Sequence, residues 1–119
     1  MGQRDSAMRE NKYILDENRN PRPARDVFEW AAWFETADRR VALTSVGKGI
    51  DVSTAFLALD HNYSEIGPPL LYETMVFGGP HHGRMARCAT EAEAHAQHSA
   101  FVRFLTGEFT EEEFAAELE

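Results

Sequence analysis

Apolar and polar positions divide the chain into segments with different periods. Residues 1–22 are mostly polar, rich in Arg and Asn, and end in Pro21-Arg22-Pro23. This composition predicts a mobile arm, with at most a short extended piece at Lys12–Leu15. Val27, Trp30, Ala31 and Phe34 then recur at i, i+3, i+4 and i+7, which predicts a helix over 24–37. Asp26 and Glu29 have the spacing of an N-terminal capping pair. Phe28 and Trp33 widen the apolar surface, so contact with more than one neighbour is expected.

The period switches to two at Arg39–Val46. Gly47-Lys48-Gly49 is a hairpin-length turn, and Ile50–Leu59 follows as a second strand. Both faces of that strand are mostly apolar, Val52/Thr54/Phe56/Ala58 and Ser53/Ala55/Leu57/Leu59, which predicts a central strand covered on both sides. Asp60–Pro69 reads as a loop, Leu70–Phe77 as a third strand, and Gly83–Cys88 as a short fourth one. Thr90 with Glu93, and Thr110 with Glu113, are capping boxes that open two further helices. The first runs to about Leu105 with Gly107 as its C-cap, and carries Ala94, His98, Phe101 and Leu105 on one face. Short connections favour an antiparallel meander. The expected fold is α+β, a three- to four-stranded antiparallel meander sheet packed by an N-terminal and a C-terminal helix. Its expected organisation is an arm (1–22), one domain (23–107) and an acidic helix or tail (108–119).

The 119 residues suit one domain, and hydrophobic residues at 43% suit a globular chain rather than a disordered one. A single cysteine allows neither an internal disulfide nor a cysteine zinc site. The net charge of −8 makes a general nucleic-acid-coating role a poor expectation. That charge is concentrated. Residues 108–119 carry six glutamates and no base, so the centre of the chain is nearly neutral. Glu111, Glu112, Glu113 and Phe114 are therefore candidates for contact with a basic partner, beside the simpler reading of a solvated terminal helix. Without an apolar leader or a membrane-length apolar run, a cytoplasmic protein is expected. The apolar sheet, with few helices to cover it, suggests a homo-oligomer or a partner.

Four residues are candidates for chemistry. Asp60 and His61 leave an apolar strand together, where an Asp can orient an imidazole that serves as base or ligand. The alternative is a polar strand exit with Asx-turn bonding. Glu73 lies within Leu-Leu-Tyr-Glu-Thr-Met-Val-Phe, so it is either exposed or paired, with Arg39, Arg40 or His61 as partners. His98 shares an apolar helix face, where a histidine is more often a hydrogen-bonded core residue than a ligand. His61 and Glu73 are thus the catalytic candidates, and Asp60, His61 and His98 the metal candidates. His95, the His81-His82 pair and Cys88 carry weaker signals.

Three segments carry a resemblance: Trp30–Ala42, Val52-Ser-Thr-Ala-Phe-Leu-Ala-Leu-Asp-His-Asn-Tyr63, and Gly67-Pro-Pro-Leu-Leu-Tyr-Glu-Thr-Met-Val-Phe-Gly-Gly79. Together they resemble a family of small uncharacterised proteins of tailed phages, prophages and bacteria. The likeness spans roughly residues 12–105 and includes the helix bearing His98. It implies that Asp60, His61, Glu73 and His98 lie in the family's characteristic segments, while the His81-His82 turn and the acidic end are particular to this chain. Members tend to carry glycine where this chain has Ala58, a departure that a strand tolerates.

Two expectations of function follow. The first is a non-enzymatic phage or mobile-element accessory protein that binds a bacterial or phage protein, with antagonism of a host defence as the role such proteins take. It needs no cofactor. The alternative is a small metal-dependent hydrolase or nuclease, in which His61 activates water while Asp60 and His98 hold a divalent ion. A ligand held between subunits by Arg39 or Arg40 is a third arrangement, without specific support.

Overall fold

The computed structural model describes residues 11–119. Residues 1–10, the first part of the expected arm, lie outside the described residues.

Where an arm was expected, residues 12–24 instead build a hairpin that is part of the core. β1 (Tyr13–Leu15) pairs antiparallel with β2 (Pro21–Pro23). Asp16 makes the turn: its carboxylate accepts from the backbone N–H groups of Asn18 and Asn20. Ile14, Leu15 and Ala24 are buried. The hairpin is sewn to the chain after the second sheet strand, where Tyr13 N–H donates to the Ala58 carbonyl at 2.9 Å. β1 falls on the short extended piece expected at Lys12–Leu15; its pairing with β2 and its burial are what the polar surroundings concealed.

α1 (Val27–Thr36) begins at Asp26, whose side chain accepts from Glu29 N–H. Its packing face differs from the expected stripe. Trp30, Trp33 and Phe34 meet the core, whereas Val27 and Phe28 are exposed, Phe28 by 80%. Trp33 meets Phe56 edge-on with centroids 5.7 Å apart, and Trp30 Nε1 donates to the Ala58 carbonyl. Glu29 ties the helix to β2 through Arg22 at 2.7 Å, and that contact with the guanidinium pulls its carboxyl down to about 2.

The main sheet is the expected α+β meander. β3 (Arg40–Gly47), β4 (Ile50–Phe56), β5 (Tyr72–Phe77) and β6 (Met85–Cys88) form one antiparallel sheet in sequence order. Lys48 and Gly49 close the first hairpin, both with positive φ, as a tight turn of this twist requires. α2 (Glu91–Leu105) crosses all four strands, and α3 (Glu111–Glu117) packs on α2. Both expected capping boxes are present, at Thr90/Glu93 and Thr110/Glu113.

The central strand is not covered on both sides. Along β4 and β5 the residues alternate buried and part-buried. Val52, Thr54, Phe56, Tyr72, Thr74 and Val76 point inward at the helices, and Asp51, Ser53, Ala55, Glu73 and Met75 point outward. The outward set of β4 is small or polar, so one uncovered face costs little there. The strand also ends at Phe56, three residues before the expected end at Leu59. Ala58 adopts φ +64, a left-handed conformation. Glycine suits this position, so the alanine is a local strain rather than a tolerated strand residue.

The inward side holds two apolar clusters. One gathers Leu15, Phe56, Ala58, Leu71, Tyr72 and Ala94 with the α1 aromatics. The other gathers Val52, Val76, Ala100, Phe101 and Phe114. Between them lies a polar layer.

Candidate functional site

The polar layer is where His98 resides, and it explains that residue. Thr44, Thr54 and Thr74 reach inward from β3, β4 and β5, and α2 lays Gln97 and His98 over them. Gln97 Nε2 donates to the Ala86 carbonyl and to Thr74 Oγ1, both at 3.1 Å. A carbonyl can only accept, so the amide nitrogen is fixed as donor and gives the chain a direction. Thr74 then donates to Thr54 at 2.6 Å, Thr54 to His98 Nδ1 at 2.7 Å, and His98 Nε2–H to Thr44 at 2.8 Å. This direction, the one that leaves the Thr54 and Thr74 hydroxyl protons both bonded, assigns the ring proton to Nε2. A second proton on Nδ1 would reverse Thr54 and strand the Thr74 hydroxyl. Burial, with a smaller contribution from His95, holds the His98 pKa below the ordinary histidine value. Both ring nitrogens are thus committed within the fold, as expected of a core histidine.

Asp60 is buried at the strand exit and organises the loop that follows. Its Oδ1 accepts from Asn62 N–H at 2.8 Å and Leu70 N–H at 3.0 Å. Asn62 extends the clamp, donating from Nδ2 to the Ile66 and Pro68 carbonyls. The Asx-turn alternative describes this segment well. His61 is part-buried and its Nδ1–H donates to the Leu59 carbonyl at 3.0 Å. That bond leaves Nε2 as the acceptor nitrogen.

Glu73 lies on the outward face, where strand register sets it opposite Arg87. Arg87 Nε donates to its carboxylate at 3.0 Å. The pairing partner is thus neither Arg39, Arg40 nor His61. Arg39 instead caps the Phe56 carbonyl and lies over the Phe34 ring. Glu73 and His98 are on opposite sides of the sheet, so the four candidates do not converge. Among the described residues, no group of three or more His, Cys, Asp or Glu side chains is arranged to hold a metal ion.

The remaining candidates have structural partners as well. Phe114 is fully buried, 4.8 Å from the Phe101 ring and stacked on Phe104, which removes it as a partner-binding residue. It is the anchor that orders the acidic end as a helix. Glu111 pairs with Arg84, whose guanidinium lies over the Phe104 and Phe114 rings. Glu113 completes its capping box, while Glu112 faces solvent. His82 Nδ1 accepts from Gly78 N–H, and His81 sits edge-on to Phe104, so that turn is built rather than loose. Burial pushes the Cys88 thiol up to about 11, which keeps it protonated and poorly nucleophilic.

Sequence reasoning missed two features. One is the outward sheet face, where Leu43, Phe77 and Met85 are 55%, 44% and 41% exposed, on the same face as the Glu73–Arg87 pair. Its signal was the alternation itself, once one face only is covered. The other is a pair of grooves on either side of Ala89, of about 340 and 430 Å3; neither is lined by Asp60, His61, Glu73 or His98. Among the described residues, no helix is long and apolar enough to cross a membrane. No protein-family model, curated protein or solved structure matches the chain.

Proposed function

We propose that the protein is a non-enzymatic binding protein that docks a bacterial or phage protein on the outward face of its sheet. The single observation that carries this reading is the row of exposed Leu43, Phe77 and Met85 on a sheet whose helices all pack on the other side. Exposed apolar side chains beside a compensated ion pair resemble a protein interface more than a solvated strand surface. The placement of its candidate catalytic groups in structural bonds agrees with a binding role. A phage or mobile-element setting, with a host-defence factor as partner, rests on the family resemblance of the three segments.

The test uses the full chain and a Leu43→Lys/Phe77→Lys variant. Both positions are about half exposed, so the variant should fold, which thermal melting verifies. The wild type should run as a monomer and retain from bacterial lysate a protein that the variant does not. A wild-type dimer dissociated by the same substitutions would assign the face to a second copy. Capture that ignores the substitutions, or no specific capture, overturns the reading.

A further inference from the structure

A cleft of about 430 Å3 lies where the β1–β2 hairpin meets the 69–71 segment and the start of α2. That volume falls in the range of small-molecule sites. Tyr13, Pro21, Pro69 and Leu71 supply apolar walls, and Arg19 and Glu91 supply opposite charges. Arg19 is held in place by backbone strain. It adopts φ +63, fixed by the Asp16 turn, in which its N–H donates to the Asp16 carbonyl. Its guanidinium makes no hydrogen bond or ion pair among the described residues, whereas Arg22, Arg84, Arg87 and Arg103 each engage a carboxylate. Glu91 contacts His95 on its own helix at 3.3 Å and does not pair with Arg19. Two opposite charges thus line one cleft without joining, which leaves room for a molecule that answers both.

Tyr72 lies behind this wall, next to Leu71, and is 1% exposed; its hydroxyl has no hydrogen-bond partner and does not line the cleft.

We propose that this cleft binds a small zwitterion of the amino-acid class with an apolar side chain. Its carboxylate meets Arg19, its ammonium meets Glu91, and its side chain lies against Tyr13, Pro21, Pro69 and Leu71. This site is separate from the outward sheet face and does not depend on that reading.

Calorimetric titration of the full chain with L-phenylalanine, 3-phenylpropionate and phenethylamine tests it. Saturable binding of phenylalanine is expected, with each single-charge analogue at least about tenfold weaker, as loss of one charged hydrogen bond implies. Arg19→Ala and Glu91→Gln should each weaken phenylalanine by a similar factor with unchanged melting. Absence of saturable binding by both phenylalanine and leucine overturns the proposal. So does equal binding of the three aromatic probes.

Discussion

Replacing Thr54 by valine tests the polar layer directly. The side chains are nearly the same shape, so packing is kept and one hydroxyl is lost. Thr54 stands in the middle of the relay, donating to His98 Nδ1 at 2.7 Å and accepting from Thr74 at 2.6 Å. The substitution leaves two buried groups without partners, the Nδ1 lone pair and the Thr74 proton. Each orphan costs about 1–3 kcal/mol, and the new methyl returns about 0.8 kcal/mol. The expected net loss is about 1–5 kcal/mol. In a domain of this size that is a drop of roughly 5–20 °C in melting temperature. Urea unfolding followed by circular dichroism measures it, and the m-value should not change. A second readout is pH. His98 stays neutral in the fold, with its pKa lowered, while an unfolded histidine takes up a proton near pH 6.5. The unfolded chain therefore binds more protons in that window. His98's contribution is complete above about pH 6.5 and is lost progressively as pH falls toward its folded pKa. A His98→Phe variant should lose this share of the slope. A Thr54→Val protein within about 0.5 kcal/mol of wild type would refute the relay as described, because it would leave no orphan to account for.

Three other outcomes follow from the packing. Phe114→Ala should cost about 3–5 kcal/mol, because the ring is fully buried against Phe101 and Phe104; removing residues 108–119 should destabilise at least as much, measured by the same denaturant titration. Ala58→Gly should be nearly neutral, within about 1 kcal/mol, since relief of the left-handed strain at φ +64 offsets the lost buried methyl; Ala94→Gly, inside α2, should be clearly destabilising by comparison. Cys88 should react with iodoacetamide far more slowly than a free thiol at pH 8, and catch up only in denaturant, as mass spectrometry of the alkylated chain would show.

Local rules made most of the fold legible. The two capping boxes, the Lys48-Gly49 turn and the strand alternations depend on neighbours within a few residues, and each appears where its residues placed it. What the sequence did not convey depends on pairs distant along the chain. Ile14 and Leu15 are core residues because a hairpin closed by Asp16 docks on Ala58, not because their own segment is periodic. Glu73 meets Arg87 because of register between β5 and β6. The face of α1 rotated for a similar reason: the tryptophan rings reach Phe56 and the Ala58 carbonyl, and outcompete the narrower stripe through Val27.

The acidic end and His98 show where residue type alone misleads. A block of glutamates reads as a solvated arm or a lure for a basic partner, yet one phenylalanine within it decides its order, because burying an aromatic ring outweighs the propensity of a seven-residue helix. A histidine on an apolar face is more often a core group than a ligand, but its own position does not decide between them. The deciding signal was parity: Thr44, Thr54 and Thr74 all fall on inward positions of strands that are otherwise apolar there. Three hydroxyls in one layer require partners from whatever covers them. An adjacent Gln-His pair on the covering helix supplies an amide donor at one end and an amphoteric ring at the other. Threonines on inward positions of neighbouring strands, facing a helical histidine, therefore mark a buried relay, and they assign His98 to the architecture before any question of chemistry arises.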